Sequence, residues 1–256
     1  MYNINKLVLP QVLEELLELL PTPKQKKTGR RRCDKKALVL GIIFVLKRAV
    51  PWYDCYDFGA SPSSCYRYFK GIQRQGKLKK IFKLLVKSKT DIKIASIDSS
   101  SVTSFRFNRG VGFDGKHKKY ATKVSTLADI NGLPADIVFG KGNIHDLNFV
   151  SSHIENVIGR AKKILNLDKG YTSLDLRRNL RQKGIRVNME TRTNDYIRKI
   201  GPKFKLNKEI YTTRFKIERL FGWLKSFKRC RLRQEFTMSS FKAFIYLSLI
   251  IILIRG

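Results

Sequence analysis

The strongest constraint on this chain is a change of period near residue 90. Before it, apolar residues recur at helical spacing; after it, short β-type runs alternate with helical ones. Residues 93–105 form a β-rich run whose apolar half closes at Asp98. Residues 120–128 and 133–139 read as two strands joined by Asp129-Ile130-Asn131-Gly132, an Asn-Gly hairpin signal. A helix over 147–159 follows, for which Asp146 is placed as N-cap. A short strand then ends in Asp168. Beyond it come a helix over 173–183, an apolar run over 185–189, a basic loop and a last amphipathic helix opening near Tyr211. The order β-ββ-α-β-α-β-α demands an α/β domain with a mixed sheet and helices on its faces, of the RNase H-like kind.

The first 90 residues are helical throughout. A helix over 4–20 stops at Pro21 and Pro23, and the basic run 24–32 follows, with Arg30, Arg31 and Arg32 at its end. Such runs neutralise phosphates without reading sequence. Asp34 caps a helix over 35–48, Trp52, Tyr53, Tyr56 and Phe58 make an aromatic cluster, and Ser61-Pro62 opens a helix to Gly76 bearing Arg67 and Lys70. A further helix spans about 78–87. This is compatible with helix-turn-helix DNA binding and equally with plain helical packing. The chain therefore divides into a helical part, 1–90, and an α/β part, 91–256.

Charge narrows the partners. Fifty-three Lys and Arg against 20 Asp and Glu give +33, a field that attracts polyanions, nucleic acid first among them. Cys33, Cys55, Cys65 and Cys230 show no zinc spacing and fit a reducing cytoplasm. Glu14, Glu15 and Glu18 argue against a signal peptide, and the apolar run 243–254 is too short to span a bilayer, so no membrane is expected. With acids scarce, each carboxylate carries more information than usual.

On the last helix, Tyr211, Arg214, Glu218 and Lys225 follow one another at i, i+3, i+7 and i+14, within an arc of roughly 60° if the helix is continuous. Ile217, Leu220, Phe221 and Leu224 form the stripe beside them, and Gly222 leaves room for a close backbone. A solvated face with an Arg–Glu pair explains the spacing as well as a site does.

The pattern Tyr-x2-Arg-x3-Glu-x6-Lys nevertheless matches the signature of the DDE transposases of bacterial insertion sequences, and the chain resembles their families four and five, the fifth more closely in size. The resemblance extends to Ile97-Asp98-Ser99, Gly132-Leu133-Pro134 and Leu167-Asp168-Lys169-Gly170-Tyr171. It departs at Asn188-Met189-Glu190, where the family has a proline-containing stretch, and Glu190 is a possible competing ligand. The resemblance implies that Asp98, Asp168 and Glu218 are the catalytic acids and metal ligands. Three hard oxygen donors suit Mg²⁺ or Mn²⁺, and two ions about 4 Å apart serve in-line phosphoryl transfer. It further implies that Tyr211, Arg214 and Lys225 contact the DNA end, and that a helical N-terminal domain binds the element's terminal inverted repeats. The 3′ ends are then joined to target DNA by a dimer assembled on DNA, in the cytoplasm at the nucleoid. Two other readings share these residues: a DNA-binding remnant without catalysis, and a related metal-dependent nuclease. No Ser/His/Asp arrangement is evident around His117, His145 or His153.

Overall fold

The computed structural model of the protein describes residues 3–25, 28, 29, 31–105, 109–158, 163–190 and 206–256. The chain forms two compact units. One comprises Met1–Ser88, Ser104–Arg109 and Trp223–Gly256; the other comprises Lys89–Thr103 and Gly110–Gly222.

The first unit is helical. Its elements are α1 (Pro10–Leu19), α2 (Lys35–Arg48), α3 (Pro62–Arg74) and α4 (Lys77–Lys89). The expected helix over 4–20 is broken. A 3-10 turn, Ile4–Lys6, precedes α1, because Pro10 lacks an amide proton and fits only the first turn of a helix. Asp34 caps α2 through Ala37 N (3.0 Å), and Ser61 caps α3 through Ser64 N (3.3 Å). The apolar C-terminal run belongs to a longer helix than expected. It spans 18 residues, long and apolar enough by composition to cross a membrane. Its apolar side chains are instead buried inside this unit. Phe244 stacks on Phe69 with ring centroids 4.4 Å apart and on Trp52 at 6.0 Å. A helix apolar all round is a core helix when protein surrounds it. Residues 223–256 thus pack with the N-terminal helices.

The second unit is built on a mixed sheet. Its strands are β1 (Ile94–Ser104), β2 (Gly112–Asp114), β3 (Lys119–Asp129), β4 (Pro134–Lys141), β5 (Lys163–Asn166) and β6 (Ile185–Asn188). The hydrogen-bonded path is β2-β3-β1-β5-β6, and β4 also pairs with β3. β1, β3 and β4 run antiparallel, whereas β5 and β6 run parallel to β1 and to each other. The parallel pairs need crossovers, supplied by α5 (Asn148–His153), which continues as a π-helical turn Ile154–Ile158, and by α6 (Leu174–Gln182). β2 is only three residues, too few to show a period in the sequence.

The β3–β4 turn holds as expected. Asp129 Oδ1 accepts from Asn131 N (2.9 Å) and Leu133 N (2.8 Å), and Gly132 takes φ +85°. A Cβ on Gly132 would stand 2.8 Å from Lys216 Cβ, and Lys216 Nζ donates to Ile130 O at 2.9 Å. The turn thereby presses on the helix Phe215–Ser226. The close approach expected at Gly222 is found here instead; a Cβ on Gly222 would meet nothing within 4 Å.

Candidate active site on the mixed sheet

Asp98 sits inside β1 and not at its end, opposite Thr126 of β3. What ends there is β5. The parallel register pairs Ile94 with Ile164 and Ser96 with Asn166, an offset of 70; carried two residues on, it brings Asp98 level with Asp168. β5 stops at Asn166, and Asp168 opens a 3-10 turn, Lys169–Tyr171, with Tyr171 N bonded to its carbonyl (2.9 Å). Burial pushes the Asp98 carboxyl above the ordinary aspartate value, and Asp146 and Asp168 push the same way. The Ser99 amide (2.8 Å from Oδ1) and the Arg214 guanidinium pull it down. Tyr171, 3% exposed, lies beneath with its hydroxyl 3.4 Å from Ser99 Oγ, and burial raises its phenol in turn.

Asp146 is not the expected N-cap. α5 begins after Leu147 with no side-chain cap, and the Asp146 carboxylate lies 2.9 Å from Lys123 Nζ, which also donates to Ile144 O. It joins Asp98 and Asp168 in one electrostatic neighbourhood.

The signature segment is two helices, α7 (Lys208–Thr212) and α8 (Phe215–Ser226). The break falls at Thr213-Arg214, so the single helical row drawn from Tyr211 to Lys225 does not hold across it. The cause is local. Ile210 O, which a continuous helix would offer to Arg214 N, accepts instead from Thr213 N (3.2 Å), Thr213 Oγ1 (2.7 Å) and Asn166 Nδ2 (3.0 Å). Asn166 is lashed in turn to Asn188, which bonds both ways with Asn207. These buried amides at the ends of β5 and β6 fix the start of α7.

Arg214 is the hinge of the site's charge. Its Nη2 donates to Glu218 Oε1 at 3.3 Å, and its guanidinium lies 5.7 Å from the Tyr211 ring centroid and 5.8 Å from that of Phe215. Its side chain is 16% exposed, that of Glu218 54%. Burial raises the Tyr211 phenol while Arg214 draws it down, and the exposed Glu190 pushes it up. The expected stripe of Ile217, Leu220, Phe221 and Leu224 is buried. Lys225 is exposed on the last turn of α8 and belongs to the first unit.

The structure therefore brings Asp98 and Asp168 together and leaves Glu218 on Arg214. Among the described residues no three Asp, Glu, His or Cys side chains stand close enough to hold one ion. The pair still suits a hard divalent cation. Asp98 is a half-buried carboxylate raised by desolvation first and by its acidic neighbours after it, and the Asp168 side chain makes no cap hydrogen bond to the turn it opens.

In the helical unit, Lys24, Arg31, Arg32, Arg67 and Tyr68 line an open cleft of about 880 Å³. Arg30 lies outside the described residues. Lys70 does not face outward as expected. Its ammonium donates to Ser240 Oγ (3.1 Å), beside Gln73 bonded to Ser239, and burial lowers it.

A Ser–His–Asp chain does exist, unseen in the sequence. Ser125 Oγ lies 3.0 Å from His153 Nε2, and His153 Nδ1 lies 2.8 Å from Asp136 Oδ2. Both Ser125 and His153 are fully buried, and the chain ends on the carbonyl of Asp98 (3.5 Å), so it underpins β1 and offers no nucleophile.

Comparison with known proteins settles the family. Residues 89–254 match the family model described as Transposase DDE domain, and residues 11–82 match that of a putative transposase of the IS4/5 family. The chain is a DDE transposase of IS4/5 type. Over 118 residues this transposase is 30% identical to the insertion element IS402 uncharacterized 16.2 kDa protein of Burkholderia cepacia, covering 42% of the chain and 80% of that protein. The piggyBac transposase, solved as a synaptic complex with hairpin DNA, superposes with a TM-score of 0.56 at 12% identity, over 98% of this chain and 72% of that one. It shares the RNase H-like fold with helices ahead of the sheet. The Mos1 transposase paired-end complex aligns over 84% of this chain and 83% of that one, at 10% identity and a TM-score of only 0.27. The protein is a DNA transposase, and its family uses divalent metal.

Proposed function

We propose that this transposase binds the terminal inverted repeats of its element through residues 1–90, cleaves the ends, and joins the 3′ ends to target DNA with Asp98, Asp168 and Glu218 of the 91–256 part. The reading is carried by the register that sets Asp98 level with Asp168 while Arg214 links Asp98's surroundings to Glu218. Two Mg²⁺ or Mn²⁺ ions held by these carboxylates would supply the charge that activates the attacking oxygen and steadies the leaving one.

The chain's own residues do the remainder. Arg214 is an Arg within reach of a carboxylate, and DNA phosphate is a better bidentate partner for the same fork. As the DNA end arrives, Arg214 turns from Glu218 to a phosphate, with Tyr211 beside it; Lys225 is a further phosphate contact. Glu218 is then free to complete the acid set, so substrate binding and site assembly become one event. Arg31, Arg32 and Arg67 contact the repeats from the basic cleft, with Arg30 in the same run and Lys70 positioning α3. Cutting and joining two ends together calls for a homodimer on double-stranded DNA, working at the nucleoid in the cytoplasm.

The test incubates purified protein and Mg²⁺ or Mn²⁺ with a plasmid carrying the gene's own flanks, beside Glu218→Gln and Asp98→Asn. Cleavage confined to the flanks and lost in both variants is the expected result. Binding at the flanks without cuts would mean a remnant that only binds DNA, and cuts everywhere a nuclease.

A further inference from the structure

The β2–β3 hairpin carries a composite surface that the acid site does not use. Phe113 and Tyr120 are directly paired across the two strands, so they stand on one face; their rings are 5.4 Å apart at 65°, and each is nearly half exposed (45% and 44%). The tip beyond them holds Lys116, His117 and Lys118, all exposed, with Lys119 half-buried. Its one acid is turned inward. The buried Asp114 carboxylate accepts from Ser101 Oγ, from Lys116 N and His117 N (3.1 Å each), and meets His117 Nδ1 at 2.8 Å. Asp114 therefore orders the tip and does not neutralise it. Among the described residues no acidic side chain pairs with Lys116, Lys118 or Lys119.

An isolated exposed aromatic is ordinary; here a cross-strand pair stands at the root of a three-lysine tip. Aromatic faces beside a track of cations are how proteins hold a nucleic-acid strand, with bases stacked and phosphates neutralised. Position agrees. Alternation along β3 puts Tyr120 on the face of Thr126, the partner of Asp98, six residues away. At about 3.3 Å per residue that is about 20 Å, or about six base pairs of DNA.

Resting on the protein's action on DNA, we infer that this hairpin is a second DNA-contact element. Lys116, Lys118 and Lys119 take backbone phosphates, and the Phe113–Tyr120 pair stacks on an unpaired base about six nucleotides from the phosphate under attack.

The experiment measures equilibrium binding of the full chain, in chelator so that nothing is cut. Two fluorescent oligonucleotides from the flank are used, a blunt duplex and the same duplex with a six-nucleotide single-stranded extension, across a salt series. The triple variant Lys116→Gln/Lys118→Gln/Lys119→Gln should flatten the slope of log affinity against log salt by about 2–3, at about 0.9 per phosphate. Phe113→Leu/Tyr120→Leu should weaken binding of the extended oligonucleotide about 5- to 100-fold and leave the blunt duplex within about twofold. An unchanged salt slope overturns the lysine contacts, and equal effects on both oligonucleotides overturn the stacking. Variants that match a DNA-binding wild type in every measurement sink this inference alone. A wild type that binds neither oligonucleotide sinks the end-binding reading as well.

Discussion

Replacing Asn166 by Ala tests whether the amide ladder at the strand ends sets the signature turn. The side chain is fully buried, accepts from Asn188 Nδ2 (2.9 Å), and donates to Ile210 O (3.0 Å) and Thr213 Oγ1 (3.1 Å). These three bonds, leaving aside the longer one to Ser96 Oγ (3.5 Å), give about 3 kcal/mol at about 1 kcal/mol net each, and an Asn188 N–H left without its partner brings the loss to about 3–5 kcal/mol. In a chain of this length each kcal/mol moves Tm by about 2–4 °C, so calorimetry should show a fall of about 6–20 °C in the transition of the sheet unit. Flank cleavage should fall further than residual folding explains, because the turn carries Arg214. Asn166→Asp keeps the acceptor but aims a carboxylate at Ile210 O, and should be no milder than Ala. A cycle with Thr213→Val should return a coupling of about 0.5–1 kcal/mol. An Asn166→Ala protein within about 2 °C of wild type, with unchanged cleavage and zero coupling to Thr213, would refute the argument.

Three other outcomes are expected. Burial alone would raise the Asp114 carboxyl, but hydrogen bonds from Ser101 and His117 outweigh it and hold it below the ordinary range. Its stabilisation is therefore present above about pH 4 and lost on further acidification. Asp114→Asn should cost about 1–3 kcal/mol at pH 7 in urea titrations and remove that acid limb. Gly132→Ala meets both a left-handed φ and the Lys216 Cβ at 2.8 Å, so it should lower stability by more than about 1 kcal/mol and loosen α8; a neutral effect on melting contradicts the contact. Ser125, fully buried, should resist labelling by a fluorophosphonate that marks a control serine hydrolase, and modification of Ser125 in the folded protein would overturn its supporting role.

Much of this was legible in the sequence because it is local. α2 and α3 matched their cap signals, the Asp129–Gly132 turn matched its residues, and the buried stripe of α8 matched its spacing. What escaped depended on partners distant in sequence. The break at Thr213 is decided by Asn166, 47 residues upstream, and no periodicity within 211–225 contains it. Lys70 reads as a surface cation until Ser240, 170 residues on, takes its ammonium. Ser125, His153 and Asp136 come from two strands and a helix, with no motif to announce them. Asp98 and Asp168 were found through resemblance, but the physical reason they meet is strand pairing, which the sequence carries only implicitly.

That pairing acts as a ruler. The two aspartates are separated by the β2–β3 and β3–β4 hairpins and the α5 crossover, yet their meeting depends only on being counted the same number of steps beyond Ser96 and Asn166. Loops between them can lengthen or shorten without moving either carboxylate. A single residue inserted between Ser96 and Asp98 would turn Asp98 to the opposite side of the sheet, and one inserted between Asn166 and Asp168 would put Asp168 out of step with it.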